Sequence, residues 1–208
     1  SSSTGLGLGL VLGLGLALWS ASSGMKSLIE AINAVYDERE TRSFVPLRGL
    51  ALLLTLGAIA FVVVTFLTVA VVPALLDDTA LGPAARWAVT ILRWPALAVA
   101  WPAGLAVLYR LAPDRDDAQW RWVTPGAILA TVLWLVASVA FSVYTSSFAS
   151  YNETYGALGA VVITMLWLQI TALSILLGAQ LNAELEHQTA RDTATGEARP
   201  MGHRDAEM

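Results

Sequence analysis

Five long apolar runs separated by short polar segments set the pattern of the chain. Gly5 to Ala21 (GLGLGLVLGLGLALWSA) is seventeen residues without a charge, just long enough to cross a hydrocarbon layer of ~30 Å as a helix. Its Leu/Gly alternation imitates a strand, but a lone strand in lipid leaves its backbone groups unpaired. Gly49 to Leu76 is crowded with Val, Thr and Phe and runs out at Pro73 and the pair Asp77–Asp78. In water such a run would suggest a strand; lipid reverses that preference, because only the helix closes all its own hydrogen bonds. Trp87 to Leu111 is interrupted by Pro95 and Pro102, seven residues apart. Each withdraws a backbone donor, so this helix is predicted to kink. Broken helices border transport pathways, and proline is also frequent in ordinary membrane helices. Arg93, in the first turns, is predicted to snorkel to the interface. Val123 to Val143 carries Pro125 near its start, where proline is tolerated. The last run, Ala157 to Leu181, follows a polar, aromatic loop at 144–156. The predicted fold is an all-α, polytopic transmembrane helical bundle with spans at 5–21, 49–74, 88–109, 123–143 and 157–181.

The polar segments differ from one another. In Ser20 to Arg48, Leu28, Ile29, Ile32 and Val35/Tyr36 recur at helical spacing. They predict an amphipathic helix at 25–40 lying on the cytoplasmic membrane surface. Lys26, Arg39, Arg42 and Arg48 interleave there with Asp37, Glu38 and Glu40, the pattern of a solvated, salt-bridged loop. Arg110 to Trp122 places Trp120 and Trp122 at a boundary, as an aromatic belt does. Residues 1–186 read as one integral membrane domain, and 187–208 as a polar tail expected to be disordered.

Charge gives the runs a direction. Ten of the twelve Lys and Arg fall in segments 22–48 and 110–122 and in the tail; two fall between Asp77 and Arg93, and none in 144–156. The positive-inside rule then puts the C-terminus in the cytoplasm. Five spans place Ser1 outside, so a further N-terminal portion with a sixth span is expected. No charged n-region precedes the first run, so no secretory signal is expected.

Composition excludes several classes. Hydrophobic residues make up 56% of the chain and charged residues 13%, against roughly 25% charged in soluble domains. Mean hydropathy is +0.64. The net charge is −4 without a basic block, which removes the electrostatic footprint of a nucleic-acid binder. Without cysteine there is no disulfide framework, thiolate metal site or Cys nucleophile. No metal, cofactor or catalytic residue is expected. His187 and His203 both lie in the polar tail, and Tyr144, Ser146 and Ser147 have no His nearby to act as base.

The remaining polar residues near span ends are the candidate chemistry. Amide and carboxylate groups are costly in lipid and belong in a protein interior or a wet cavity. Asn152 and Glu153 mark the outer mouth of a substrate pathway, and Gln180, Asn182 and Glu184 the inner one. The competing reading makes each a helix cap or a snorkelling side chain. Gly5, Gly9 and Gly13 form a GxxxG-type stripe that suits close helix contact or simply fills an apolar helix.

Several blocks in fixed order carry a resemblance. They are Asn33-Ala34-Val35-Tyr36 followed by Glu38, Arg39, Arg42 and Phe44, and Tyr109-Arg110 with Pro113, Trp120, Pro125-Gly126-Ala127, Ala130-Thr131 and Trp134. Next come Phe141, Tyr144, Phe148, Tyr151-Asn152, Tyr155-Gly156 and Leu158-Gly159-Ala160, and then Trp167 and the run Gly178 to Glu184 (GAQLNAE). From about Ser20 to Glu184 the chain resembles the YihY/BrkB family of bacterial inner-membrane proteins. The resemblance implies a six-helix membrane protein, with Asn33, Tyr36, Arg39, Arg42, Tyr144, Tyr151, Tyr155, Gly156, Gly159 and Gly178 as motif positions. The family's position at Gln180 is often Glu; the amide here removes a titratable group and puts a proton- or cation-linked role in doubt.

Family labels range over ribonuclease, virulence association and envelope or lipid transport. Metal-dependent RNA hydrolysis needs clustered His and carboxylates, which this pattern lacks, so ribonuclease activity is not expected. Two functions stay open: transport or flipping of a lipid or small solute in envelope maintenance, or a non-catalytic scaffold that docks envelope proteins. The expected partners are the lipid bilayer, a lipid or small-solute substrate, and further copies of the chain as a homo-oligomer; nucleic acid is not among them.

Overall fold

The structure, a computed structural model, describes residues 2–71, 82–115, 120–147 and 152–187. Among them are five α-helices and no strand: α1 (Ser2–Val35), α2 (Phe44–Phe66), α3 (Pro83–Leu111), α4 (Trp120–Ser147) and α5 (Asn152–His187). A π-helical turn, Leu67–Val71, prolongs α2. Each helix holds a stretch long and apolar enough to cross a membrane: Gly7–Val35, Phe44–Val71, Trp87–Leu111, Val123–Ser146 and Leu158–Glu186. The protein is an all-α membrane protein with five candidate spans. Pro73, Asp77, Asp78, Tyr151 and the tail after His187 lie outside the described residues.

Large apolar side chains face outward, among them Leu12, Leu16, Val63, Leu92, Val136 and Met165, while Ala51, Ala106, Ala112, Ala127, Ala130, Ala179 and Ala183 are buried beside a few larger residues, Ile29, Ile32, Leu47, Tyr109 and Val123 among them. This inversion is what lipid demands. Helices there gain nothing from hiding Leu from lipid tails and gain contact area through small residues.

Two expectations about the polar segments are corrected. The amphipathic segment is not a separate surface helix at 25–40; α1 runs unbroken through it to Val35. At ~1.5 Å per residue its 34 residues reach about 50 Å, well past a ~30 Å hydrocarbon layer. The polar residues do not break it, because the hydroxyls of Ser22 and Ser23 both donate to the Trp19 carbonyl at 2.9 Å. The 144–156 loop is likewise shorter than expected: α4 continues through Ser147 and α5 begins at Asn152. Thr145 and Ser146 donate to the carbonyls of Ser142 and Val143 at 3.1 and 2.8 Å. Short hydroxyl side chains satisfied within their own helix do not end it.

The chain divides into two compact units, Ser1–Ala31 with Arg39–Gly104, and Ile32–Glu38 with Leu105–Met208. In the first, Leu47, Arg48, Ala51 and Thr55 of α2 are buried, as are Ser22 and Ile29 of α1. Phe61 packs against Trp101 with ring centres 5.5 Å apart. α3 contains Pro95 and Pro102 inside an unbroken helix. Arg93 reaches the Val69 carbonyl of the π-helical turn at 3.4 Å and lies 5.3 Å from the Trp94 ring. Gly9 and Gly13 meet nothing within 4 Å, so this part of the glycine stripe makes no close helix contact among the described residues. In the second unit, α4 and α5 pair along their length, and Trp134 meets Trp167 edge-on at 6.0 Å while its Nε1 donates to Thr171 Oγ1 at 3.0 Å.

α1 ends in a Schellman motif: Glu38 N–H donates to the Asn33 carbonyl at 3.0 Å and Asp37 N–H to that of Ala34 at 3.3 Å. The motif needs a left-handed residue, and Asp37 supplies it with φ 54°. A carboxylate at a helix C-terminus also opposes the dipole. Asp37→Gly removes both penalties and is expected to stabilise the protein by roughly 0.5–1 kcal/mol, read as a higher thermal midpoint in detergent.

Candidate functional site

Polar side chains buried in the second unit gather where α1, α3 and α5 end and α4 begins. The site is built on the last two turns of α5. Gly178, Ala179, Asn182, Ala183 and Glu186 are all buried, and their spacing of i, i+1, i+4, i+5 and i+8 puts them on one helical face. Gln180 and Glu184 lie on the opposite, exposed face, and Gln180 Nε2 donates to Glu184 Oε1 at 3.3 Å. The GAQLNAE run is therefore divided: Asn182 faces the interior, and the other two polar members pair on the surface.

Gly178 is there because nothing larger fits. A Cβ on it would come within 2.5 Å of the Tyr109 hydroxyl and 2.7 Å of the Ala130 methyl, and would overlap the Gly126 carbonyl oxygen. A Cβ on Gly126 would overlap the Gly178 carbonyl oxygen and the Asn182 amide in return. The two backbones touch. Asn182, one turn on, uses that proximity: its Oδ1 accepts from Gly126 N–H at 2.7 Å, and its Nδ2 donates to the Val123 carbonyl at 3.2 Å. Pro125 stands between those two α4 residues and perturbs the helical ladder there. Tyr109 of α3, fully buried, donates its hydroxyl to the Ile175 carbonyl at 2.7 Å.

One turn beyond Asn182, Glu186 forms an ion pair with Arg115, just after α3, with the two side chains 5% and 1% exposed. Arg115 Nη2 also donates to the Tyr109 carbonyl at 3.1 Å. The guanidinium lies 4.4 Å from the centre of the Tyr36 ring, a cation–π contact in a desolvated setting. Asn33 Oδ1 accepts the Asp114 N–H at 2.8 Å, tying the end of α1 to the α3–α4 connection. The Tyr36 hydroxyl is buried without a well-formed hydrogen bond, close to Arg115, Asn182 and Glu186. Burial pushes its pKa up to about 12, with the Glu186 carboxylate adding to the rise and Arg115 opposing it.

The other sequence-derived positions are dispersed. Arg39 is exposed. Arg42 is half-buried and forks onto Glu40 at 2.7 and 2.9 Å. Tyr144 is exposed and stacks on Phe141 at 6.4 Å. Gly159 is half-buried. Asn152, Glu153, Tyr155 and Gly156 form the first turns of α5, and their side chains lie outside the described ones. Sequence reasoning missed Arg115 and Glu186 as a pair. The eight-residue step from Gly178 to Glu186 was the available signal for Glu186; Arg115, in an irregular charged segment, carried none. Among the described residues no group of three or more His, Asp or Glu could hold a metal ion.

A buried ion pair gives little net stability, but removing one partner strands a charge and costs about 3–5 kcal/mol. Glu186→Leu and Arg115→Met are each expected to lower the thermal midpoint strongly, and the double variant to recover most of the loss. A midpoint for the double variant equal to the sum of the single losses would exclude the coupling. Tyr36 gives a pH signature. Its folded pKa is raised from 10.0 to about 12, so its contribution is present below pH 10 and is lost as pH climbs toward 12. Tyr36→Phe is expected to flatten the fall of the melting temperature with pH in that window.

The family described as virulence factor BrkB matches residues 1–202. Over 179 residues the chain is 35% identical to the ribonuclease-like protein YfkH of Bacillus subtilis, covering 81% of this chain and 62% of YfkH. It is 39% identical over 80 residues to a UPF0761 membrane protein of Mannheimia succiniciproducens, covering 38% of this chain and 28% of that protein. It is 36% identical over 93 residues to a UPF0761 membrane protein of Tolumonas auensis, covering 45% and 30% respectively. The chain thus spans less than two thirds of the relatives it matches. No solved structure matches.

Proposed function

We propose that this chain, which belongs to the BrkB virulence-factor family, moves a lipid or small solute across the bacterial inner membrane, with the buried polar cluster as a closed cytoplasmic latch. The observation that carries this reading is the Arg115–Glu186 pair at the ends of two candidate spans. Ionisable groups at such positions are expensive and give little stability over an apolar replacement. A device that must open and close has use for them, because a hydrogen-bonded ion pair has a discrete broken state. The concentration of Lys and Arg in segments 22–48 and 110–122 and the tail supports a reading in which this end and the C-terminus face the cytoplasm. Asn152 and Glu153 then sit at the outer end of α5. Gln180 and Glu184, on the exposed face beside the latch, are the polar groups a substrate leaving along α5 would meet. We read the protein as a non-enzyme without a cofactor.

A second reading, a scaffold for envelope proteins or for further copies of the chain, is favoured by the open surface along Gly7, Gly9, Gly13 and Gly15 of α1, none of which meets anything within 4 Å.

Full-length protein reconstituted in liposomes decides between them. Transport predicts accelerated movement of a fluorescent phospholipid analogue or an entrapped solute over empty liposomes. Glu186→Gln, at matched incorporation, should change that rate by about tenfold, the equivalent of ~1.4 kcal/mol on the latch. Wild-type protein that moves neither cargo beside a working control overturns transport, and partners recovered by cross-linking in native membranes would then carry the scaffold reading.

A further inference from the structure

We propose that Arg48, with Trp19 and Ser23, binds the phosphate of an anionic phospholipid headgroup, in the cytoplasmic leaflet on the orientation proposed above. The placement follows from two helices of the first unit. On α1 the apolar run ends at Trp19, and Ser20, Ser22, Ser23 and Lys26 follow; Arg42 and Ser43 just before α2 and Arg48 in its first turns precede the apolar run from Gly49. Both sequences change character at the same level, and tryptophan belongs at headgroup depth.

Arg48 is 8% exposed. Its Nη2 donates to the Trp19 carbonyl and to Ser23 Oγ, each at 3.1 Å. Its guanidinium carbon lies 3.8 Å from the centre of the Trp19 ring. Among the described residues no carboxylate neutralises it: Glu30 pairs with Lys26, Glu40 with Arg42 and Glu186 with Arg115. Its Nε is buried without an acceptor. A desolvated cation with an unused donor is costly unless it is paired and hydrogen-bonded. Lys26 and Arg42 follow the salt-bridged pattern expected of this segment, and Arg48 departs from it.

The missing partner has a defined chemistry. It accepts without donating, carries negative charge, and presents oxygens that a planar guanidinium can fork onto, which describes a phosphate. The Trp19 carbonyl cannot serve further, since Ser22 and Ser23 also donate to it at 2.9 Å. A lipid phosphate is favoured over a free one by what lies next to it. Leu12 and Leu16, toward the membrane on α1, are 65% and 71% exposed, and Trp19 is 56% exposed, leaving an apolar track for acyl chains below the cation. This inference does not depend on whether the protein moves any cargo.

The test uses full-length protein in mild detergent, exposed to phosphatidylglycerol, phosphatidylcholine or inorganic phosphate, with retained molecules read by native mass spectrometry. Wild-type protein should retain phosphatidylglycerol best, phosphatidylcholine less because its own cation offsets the phosphate, and inorganic phosphate least. Ser23→Asp places a carboxylate beside the guanidinium; it should keep the wild-type melting temperature or raise it, and lower phosphatidylglycerol retention by about tenfold, the scale of a charge-assisted hydrogen bond. Arg48→Lys keeps the charge without the fork and should fall between the two. Wild-type retention in both folded variants overturns the site. Displacement of phosphatidylglycerol by an equal concentration of inorganic phosphate overturns its assignment to lipid.

Discussion

The second unit depends on two glycines that let two backbones touch. Lipid provides no hydrophobic drive to bring helices together, so association rests on close packing and hydrogen bonds. Gly126 and Gly178 remove the side chains that would hold α4 and α5 apart. The remaining geometry follows from that contact. Asn182, one turn beyond Gly178, comes within reach of the α4 backbone and bonds it at two points. Glu186, one turn beyond Asn182, emerges on the same face and meets Arg115. Tyr109 enters from α3 beside Gly178 because no Cβ occupies that space. A larger residue at either glycine would displace the whole polar set.

That set is satisfied unevenly. Asn182 makes a donor and an acceptor bond, and Tyr109 donates to a carbonyl. Among the described residues the buried Tyr36 hydroxyl makes no well-formed bond, although Arg115 and Asn182 lie beside it, and the buried Arg115 Nε has no acceptor. Arg115 balances Glu186, and its guanidinium also lies over the Tyr36 ring. Networks with every member satisfied rigidify a core, and partly satisfied ones hold local strain. The Tyr36 hydroxyl lies beside Asn182, whose Oδ1 accepts from Gly126 N–H, so the loosely satisfied atoms adjoin the glycine contact.

The fold was largely legible because lipid leaves so few options. Run length and lack of charge were enough for five helices, since no other backbone arrangement closes its own hydrogen bonds there. Helix ends were less legible. Ser22, Ser23, Thr145 and Ser146 read as loop residues by polarity, but each hydroxyl bonds its own helix, and the helix continues past them. The position of the site was legible as GAQLNAE, and its composition only in part. The run's polarity marks a place; which of its residues face inward depends on a partner helix, and Gln180 and Glu184 turned out to be exposed. The Arg115–Glu186 pair joins residues 71 apart, and a contact across that separation leaves no periodic trace in either segment.

Two buried arginines show how the same side chain is handled in two settings. Arg115 has a carboxylate, a backbone carbonyl and a tyrosine face, so its charge is neutralised inside the protein. Arg48 has a backbone carbonyl, a serine hydroxyl and a tryptophan face, and among the described residues no carboxylate. Dipoles and a π-face orient a guanidinium but do not cancel its charge. The first cation is closed on the protein itself, as suits a latch between elements of one unit. The second is held by its neighbours without a carboxylate among the described residues, at the level proposed above for lipid headgroups. A fixed, desolvated cation beside an exposed tryptophan is preorganised for an anion, because the entropy of ordering that side chain has already been lost on folding.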